Sequence, residues 1–155
     1  MPDSPRAAQS DTTLLYLVKR VELAVRSRLD DLLRPGGLTT LQYTALTVLQ
    51  RHQGSLTSAQ LARNSFVTAQ TMADMVSALL DRGLVERNRD PADRRRLVLT
   101  LTPDGEALLS RFRRPVEALE AQMLSGLTAE QAAELRASLL SCRAALERPA
   151  GGALE

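Results

Sequence analysis

The chain has 155 residues, 44% of them hydrophobic and 25% charged, with a formal net charge of +2. These proportions suit one ordinary domain, or two small ones, and argue against wholesale disorder. The longest uninterrupted apolar run, Leu14 to Val18, is far short of a membrane span, the first ten residues hold no apolar signal segment, and the single cysteine, Cys142, excludes an intrachain disulfide. A cytoplasmic protein without a membrane partner is expected.

Residues 1–10 read as a frayed arm. From about Thr12 to Leu33 the apolar positions Leu14, Val18, Val21, Val25, Leu29 and Leu32 step by three or four, which predicts one stripe of a long helix. Pro35-Gly36-Gly37 stops it. Thr39 or Thr40 can cap a second helix through about Arg51, with Gly54 at its end.

Thr57 followed by Gln60 is a capping-box pattern that opens a helix of barely two turns. Thr68 can cap a longer helix to about Arg82, stopped by Gly83, with Val67 and Met72 as a hydrophobic staple and Met72, Met75, Val76 and Leu79 facing inward. A short helix, a tight turn and a longer helix make a helix-turn-helix.

After Gly83 the period changes. Leu84–Arg87 predicts a short strand and Arg96–Leu101 its partner, with the turn-rich, basic segment 88–95 as the hairpin tip. Thr102-Pro103 predicts an N-cap and first residue of a third long helix reaching toward Leu124, which Pro115 should bend or split. Thr128 with Gln131 starts a last helix, whose positions Ala132, Leu135, Leu139, Cys142 and Leu146 form a heptad-like seam. The fold class expected is mainly α with a small β-hairpin wing. Residues 38–102 form a winged helix-turn-helix, and residues 12–34 and 103–147 a helical dimerisation region.

Charge is concentrated in one place. Residues 82–96 contain Arg82, Arg87, Arg89, Arg94, Arg95 and Arg96 against Glu86, Asp90 and Asp93, a local +3, whereas the remaining 14 basic and 15 acidic residues sum to −1. Arginine's planar fork of donors suits phosphate and guanine. A helix-turn-helix followed by a basic hairpin can present short polar side chains to base edges in the major groove, while the arginines reach the backbone and the neighbouring minor groove. Thr68, Ala69, Gln70 and Thr71 lie at the helix N-terminus, where free N–H groups favour a phosphate. Gln70 can pair with adenine, and the methyl groups of Ala69 and Thr71 can touch thymine.

Enzymatic readings find little support. One histidine (His52) and one cysteine provide no zinc cluster and no histidine-based triad, and no Walker or dinucleotide glycine pattern occurs. His52 reads as a polar cap at a helix end, and Cys142 as a small hydrophobe packed on its seam. No metal, cofactor or catalytic residue is expected.

The stretch from Leu56 to Gly105 resembles the DNA-binding core of the multiple-antibiotic-resistance regulator (MarR) family. It carries that family's wing signature as Asp90-Pro91-Ala92-Asp93-Arg94-Arg95 and its following helix start as Leu101-Thr102-Pro103-Asp104-Gly105. The resemblance implies a homodimeric repressor whose terminal helices interlock and whose wing arginines enter the minor grooves of a double-stranded, pseudo-palindromic operator. It also implies that Asp93 orients Arg95, with Arg94 and Arg96 as supporting backbone contacts. A small aromatic or phenolic effector would bind between the dimer helices and the winged helix, where Tyr16, Arg20, Tyr43, His52 and Phe66 are the candidates. Two other readings remain at this point: a constitutive DNA-binding regulator without effector, and a winged-helix protein-interaction module.

Overall fold

The computed structural model describes residues 12–53, 56–65 and 67–147. The predicted arm before residue 11, the stop at Gly54 and the effector candidate Phe66 lie outside them. Among the described residues the chain forms α1 (Leu14–Leu33), a 3-10 turn (Arg34–Gly36), α2 (Thr40–Arg51), α3 (Ser58–Asn64), α4 (Ala69–Asp81), β1 (Val85–Arg89), β2 (Leu97–Leu101), α5 (Pro103–Met123) and α6 (Ala129–Glu147). The class is mainly α with one antiparallel hairpin.

Caps set the boundaries. Thr13, Thr39, Thr57 and Thr68 each accept a hydrogen bond from the backbone N–H three residues on, and Thr39–Gln42 and Thr57–Gln60 are complete capping boxes. Asp30 adds a second cap to α2, its carboxylate accepting from the Thr40 N–H at 3.0 Å and from the Thr40 hydroxyl at 2.6 Å. Those two bonds hold the Asp30 carboxyl below the usual aspartate range. At the end of α2, His52 is the C-cap and Gln53 takes the left-handed backbone (φ 53°). Gly83 takes it after α4 (φ 67°), where a side chain would be strained.

The chain falls into two compact units, one up to Val116 and one from Glu117. The first is built around Leu33, Leu46, Leu49, Leu61, Met72, Val76, Leu79 and Leu99, all fully buried, with Leu109 and Phe112 of α5 completing the core. Met72 and Met75 are core residues, and Val67 packs on the same cluster. Two close approaches explain glycines in this unit. A Cβ on Gly105 would collide with the Leu84 carbonyl oxygen, so the first turn of α5 can rest on the strand entry only without one. A Cβ on Gly36 would lie 2.5 Å from the Phe112 ring.

In the hairpin, Val85 pairs with Leu101 and Arg89 with Leu97. β1 therefore runs to Arg89, two residues beyond the predicted end, and Asn88 and Arg89 are strand rather than tip residues. Leu56 adds a bridge, its carbonyl accepting from the Leu99 N–H at 2.7 Å. This ties the entry to α3 onto β2, a pairing too short to leave a periodic signal in sequence.

In the second unit, α6 has no buried residue. Cys142 is exposed, which corrects its expected place in the core: the seam lacks cover in a single chain. The predicted split at Pro115 does not occur, and α5 is one helix from Pro103 to Met123. A proline removes a single intrahelical hydrogen bond, which a helix of 21 residues tolerates. The α1 stripe is covered only at its C-terminal end. Leu29 and Leu32 pack on the core, whereas Leu14 (79% exposed), Leu15, Leu17, Val18, Val21 and Leu23 lie open.

Candidate nucleic-acid interface

α4 turns Met72, Met75, Val76 and Leu79 inward, which leaves Ala69, Gln70, Thr71, Ala73, Asp74 and Ser77 exposed. Burial of one apolar stripe therefore decides which face is offered outward. The offered face is short and polar, with no lysine or arginine anywhere from Ala69 to Asp81. Its side chains are tied to one another. The Thr68 hydroxyl accepts from the Thr71 N–H at 3.2 Å and donates to the Thr71 hydroxyl oxygen at 3.0 Å. The Gln70 amide donates to Asp74 Oδ1 at 3.2 Å. The first turn of α4 has no acidic residue to occupy its free N–H groups, so that end of the helix suits an anion.

The hairpin that follows is built differently. Its tip, residues 90–96, is closed by Asp90 N–H to Arg96 O and Arg96 N–H to Asp93 O, both 2.9 Å. The Asp90 carboxylate accepts from the Ala92 N–H at 2.9 Å, and that of Asp93 from the Arg95 N–H at 3.0 Å. Asp93 and Arg95 thus lie in a turn, not along an extended arm. What Asp93 holds is the backbone at Arg95 rather than its guanidinium, because the chain reverses here and brings the N–H within reach first.

The six arginines of segment 82–96 divide into two groups. Arg82 donates to the carbonyls of Gly36 and Gly37, both at 2.8 Å. It braces the α1–α2 connection, and its donors are committed there. Arg89 donates to the Arg94 carbonyl at 2.8 Å, and Arg96 approaches Asp90 at 4.0 Å. The guanidinium groups of Arg87, Arg94 and Arg95 are exposed and have no partner among the described residues. Arg87, on β1, was absent from the predicted contacts. Its signal in sequence is membership of the basic segment 82–96, since strand alternation puts it on the face of its buried partner Leu99.

The effector candidates do not gather around one described cavity. Arg20 donates to the Tyr16 hydroxyl at 3.0 Å on the exposed start of α1, Tyr43 is half-buried against the core, and His52 caps α2. A cavity of about 460 Å³ opens instead beside the α1–α2 connection, lined by Arg26, Asp30, Arg34 and the segment 37–41. Arg26 pairs with Glu22 and Arg34 with Asp31 at its rim. Among the described residues no group of three potential metal ligands occurs, and no helix is long and apolar enough to cross a membrane.

A helix-turn-helix capped by an arginine-bearing hairpin is a winged-helix, DNA-binding module. Comparison with known proteins narrows the class. Residues 36–96 match the model of the MarR family. The HTH-type transcriptional repressor Rv2887 of Mycobacterium tuberculosis is 38% identical over 129 residues, covering 83% of this chain and 92% of the relative. The crystal structure of the Staphylococcus aureus MepR–DNA complex superposes with a TM-score of 0.77 at 25% identity, over 87% of this chain and 97% of that one. That of the M. tuberculosis protein Rv2887 in complex with salicylic acid does so with a TM-score of 0.68 at 37% identity, over 85% and 97%. The chain belongs to the MarR family and is a DNA-binding transcriptional regulator, not an enzyme.

Proposed function

We propose that the protein is a homodimeric repressor. In this reading Thr68, Ala69, Gln70 and Thr71 of α4 meet a pseudo-palindromic operator in the major groove. Arg94 and Arg95, with Arg96 and Asp93 in support, hold the flanking backbone and minor groove. The observation that carries the reading is the pairing of a cation-free polar helix face with guanidinium groups left unpaired on the hairpin directly after it. Free arginines on a surface turn gain most where a polyanion releases its counterions. The related repressor Rv2887 and the DNA-bound MepR structure support it.

Dimerisation is supported by the uncovered apolar faces of α1 and α6, residues 12–34 and 103–147 being the region assigned to it. Leu14, Val18 and Val21 on one helix, and Leu135, Leu139 and Leu146 on the other, lie open to solvent in the single chain. Pairing between two copies would bury both, as obligate homodimers do. Light scattering should give twice the 16.9 kDa chain mass, and Leu139→Arg should yield monomer or insoluble protein. A soluble, full-affinity dimer from that variant would defeat the reading.

Release by a small aromatic or phenolic acid is supported by the salicylic acid complex of Rv2887 and by the arginine-rimmed cavity beside α1. Salicylate should lower the fluorescence anisotropy of a bound operator duplex, and Arg26→Ala or Arg34→Ala should blunt that response. A wild-type protein indifferent to salicylate and to other phenolic acids would favour a constitutive regulator.

A further inference from the structure

We propose that Asp74 reads sequence, accepting a hydrogen bond from the exocyclic amine of a cytosine in the major groove while Gln70 holds its carboxylate in place. This rests on the reading of α4 as the helix that enters that groove.

The exposed ridge of α4 is Gln70, Asp74 and Ser77 with Ala69, Thr71 and Ala73 beside it. Of these, only Gln70 and Asp74 have polar groups reaching beyond a β-carbon substituent, and the two are bonded to each other. The Gln70 amide donates to one carboxylate oxygen at 3.2 Å and leaves the other open. Asp74 forms no ion pair among the described residues, and α4 carries no cation to neutralise it.

An ionised carboxylate only accepts hydrogen bonds. In the major groove guanine offers the acceptors N7 and O6, and thymine offers O4, so both repel it. Adenine offers an N6 donor next to the N7 acceptor, whereas cytosine offers its N4 donor alone. A lone carboxylate on a surface facing DNA therefore penalises every sequence that fails to place that donor opposite it. This is discrimination by repulsion, with the wing arginines supplying the affinity.

The test is selection from a random duplex pool by the full-length wild type, Asp74→Ala, Asp74→Asn and Gln70→Ala. The wild-type site should contain a cytosine in each half. Asp74→Ala should lower that preference roughly tenfold and tighten binding to random DNA. Asp74→Asn, which preserves size, should shift the position toward adenine, whose N6 and N7 match an amide. If Asp74→Ala keeps every base preference while Gln70→Ala changes one, the proposal fails and the placement of α4 stands. If neither variant alters any preference although DNA is still bound, both fail together.

Discussion

α4 and the wing are consecutive in the chain and are built on opposite principles. α4 presents side chains of one to three carbons, ordered by bonds among themselves, with no cation from Ala69 to Asp81. The wing presents long arginines on a turn whose backbone is ordered by Asp90 and Asp93. Short, pre-ordered groups lose little rotamer freedom on contact and discriminate through geometry. Long free cations discriminate poorly but bind any phosphate. On the proposed reading, specificity and affinity are therefore assigned to neighbouring but separate elements.

The largest expected effect comes from stripping the wing. Arg94→Ala with Arg95→Ala should reduce the slope of log affinity against log salt by about two units if each neutralises one phosphate. A slope equal to the wild type's, measured by anisotropy across a salt series, would mean the wing does not touch the backbone. On the α4 side, Gln70→Ala and Thr71→Ala should narrow the gap between operator and random DNA by roughly 1–3 kcal/mol. The salt slope should stay as it was. A changed slope with intact discrimination would reverse the assignment of roles.

Arg82 tests where the wing's charge begins. Its bonds to the Gly36 and Gly37 carbonyls predict that Arg82→Met costs about 1–2 kcal/mol of folding stability in urea, with no change in salt slope. Loss of about one unit of slope would return Arg82 to the DNA-binding group.

The smallest effect, and the one whose sign matters most, is at Asp93. Charge counting predicts that Asp93→Ala binds DNA better. Because the Asp93 carboxylate pins the backbone of Arg95, we expect weaker binding, by about 0.5–1 kcal/mol, the worth of one ordinary hydrogen bond. Tighter binding by a normally folded variant would show that the wing is only a patch of charge.

Most elements were legible because their signals are local. The threonine caps, the Gly83 stop and the inward stripe Met72–Leu79 each depend on residues within a turn or two, and these lie where predicted. The bridge from Leu56 to Leu99 was not legible, since it rests on one backbone hydrogen bond between residues 43 apart in number. Of the bend or split expected at Pro115, the split is absent for a related reason, as a long helix absorbs one missing bond. Cys142 was placed in a core from its heptad spacing. Spacing defines a stripe but not what covers it.

The candidate interface divides along the same line. Sequence alone determined that there is a helix-turn-helix, that a basic hairpin follows it and that Gln70 and Thr71 lie on its outer face. All of these follow from periodicity and composition. Only the tertiary structure decided which arginines remain free. Six cations close together in sequence look equivalent, but a guanidinium bonds to whatever carbonyl the fold brings within 3 Å or so. Gly36 and Gly37 take Arg82, Arg94 takes Arg89, and Arg87, Arg94 and Arg95 are left facing outward.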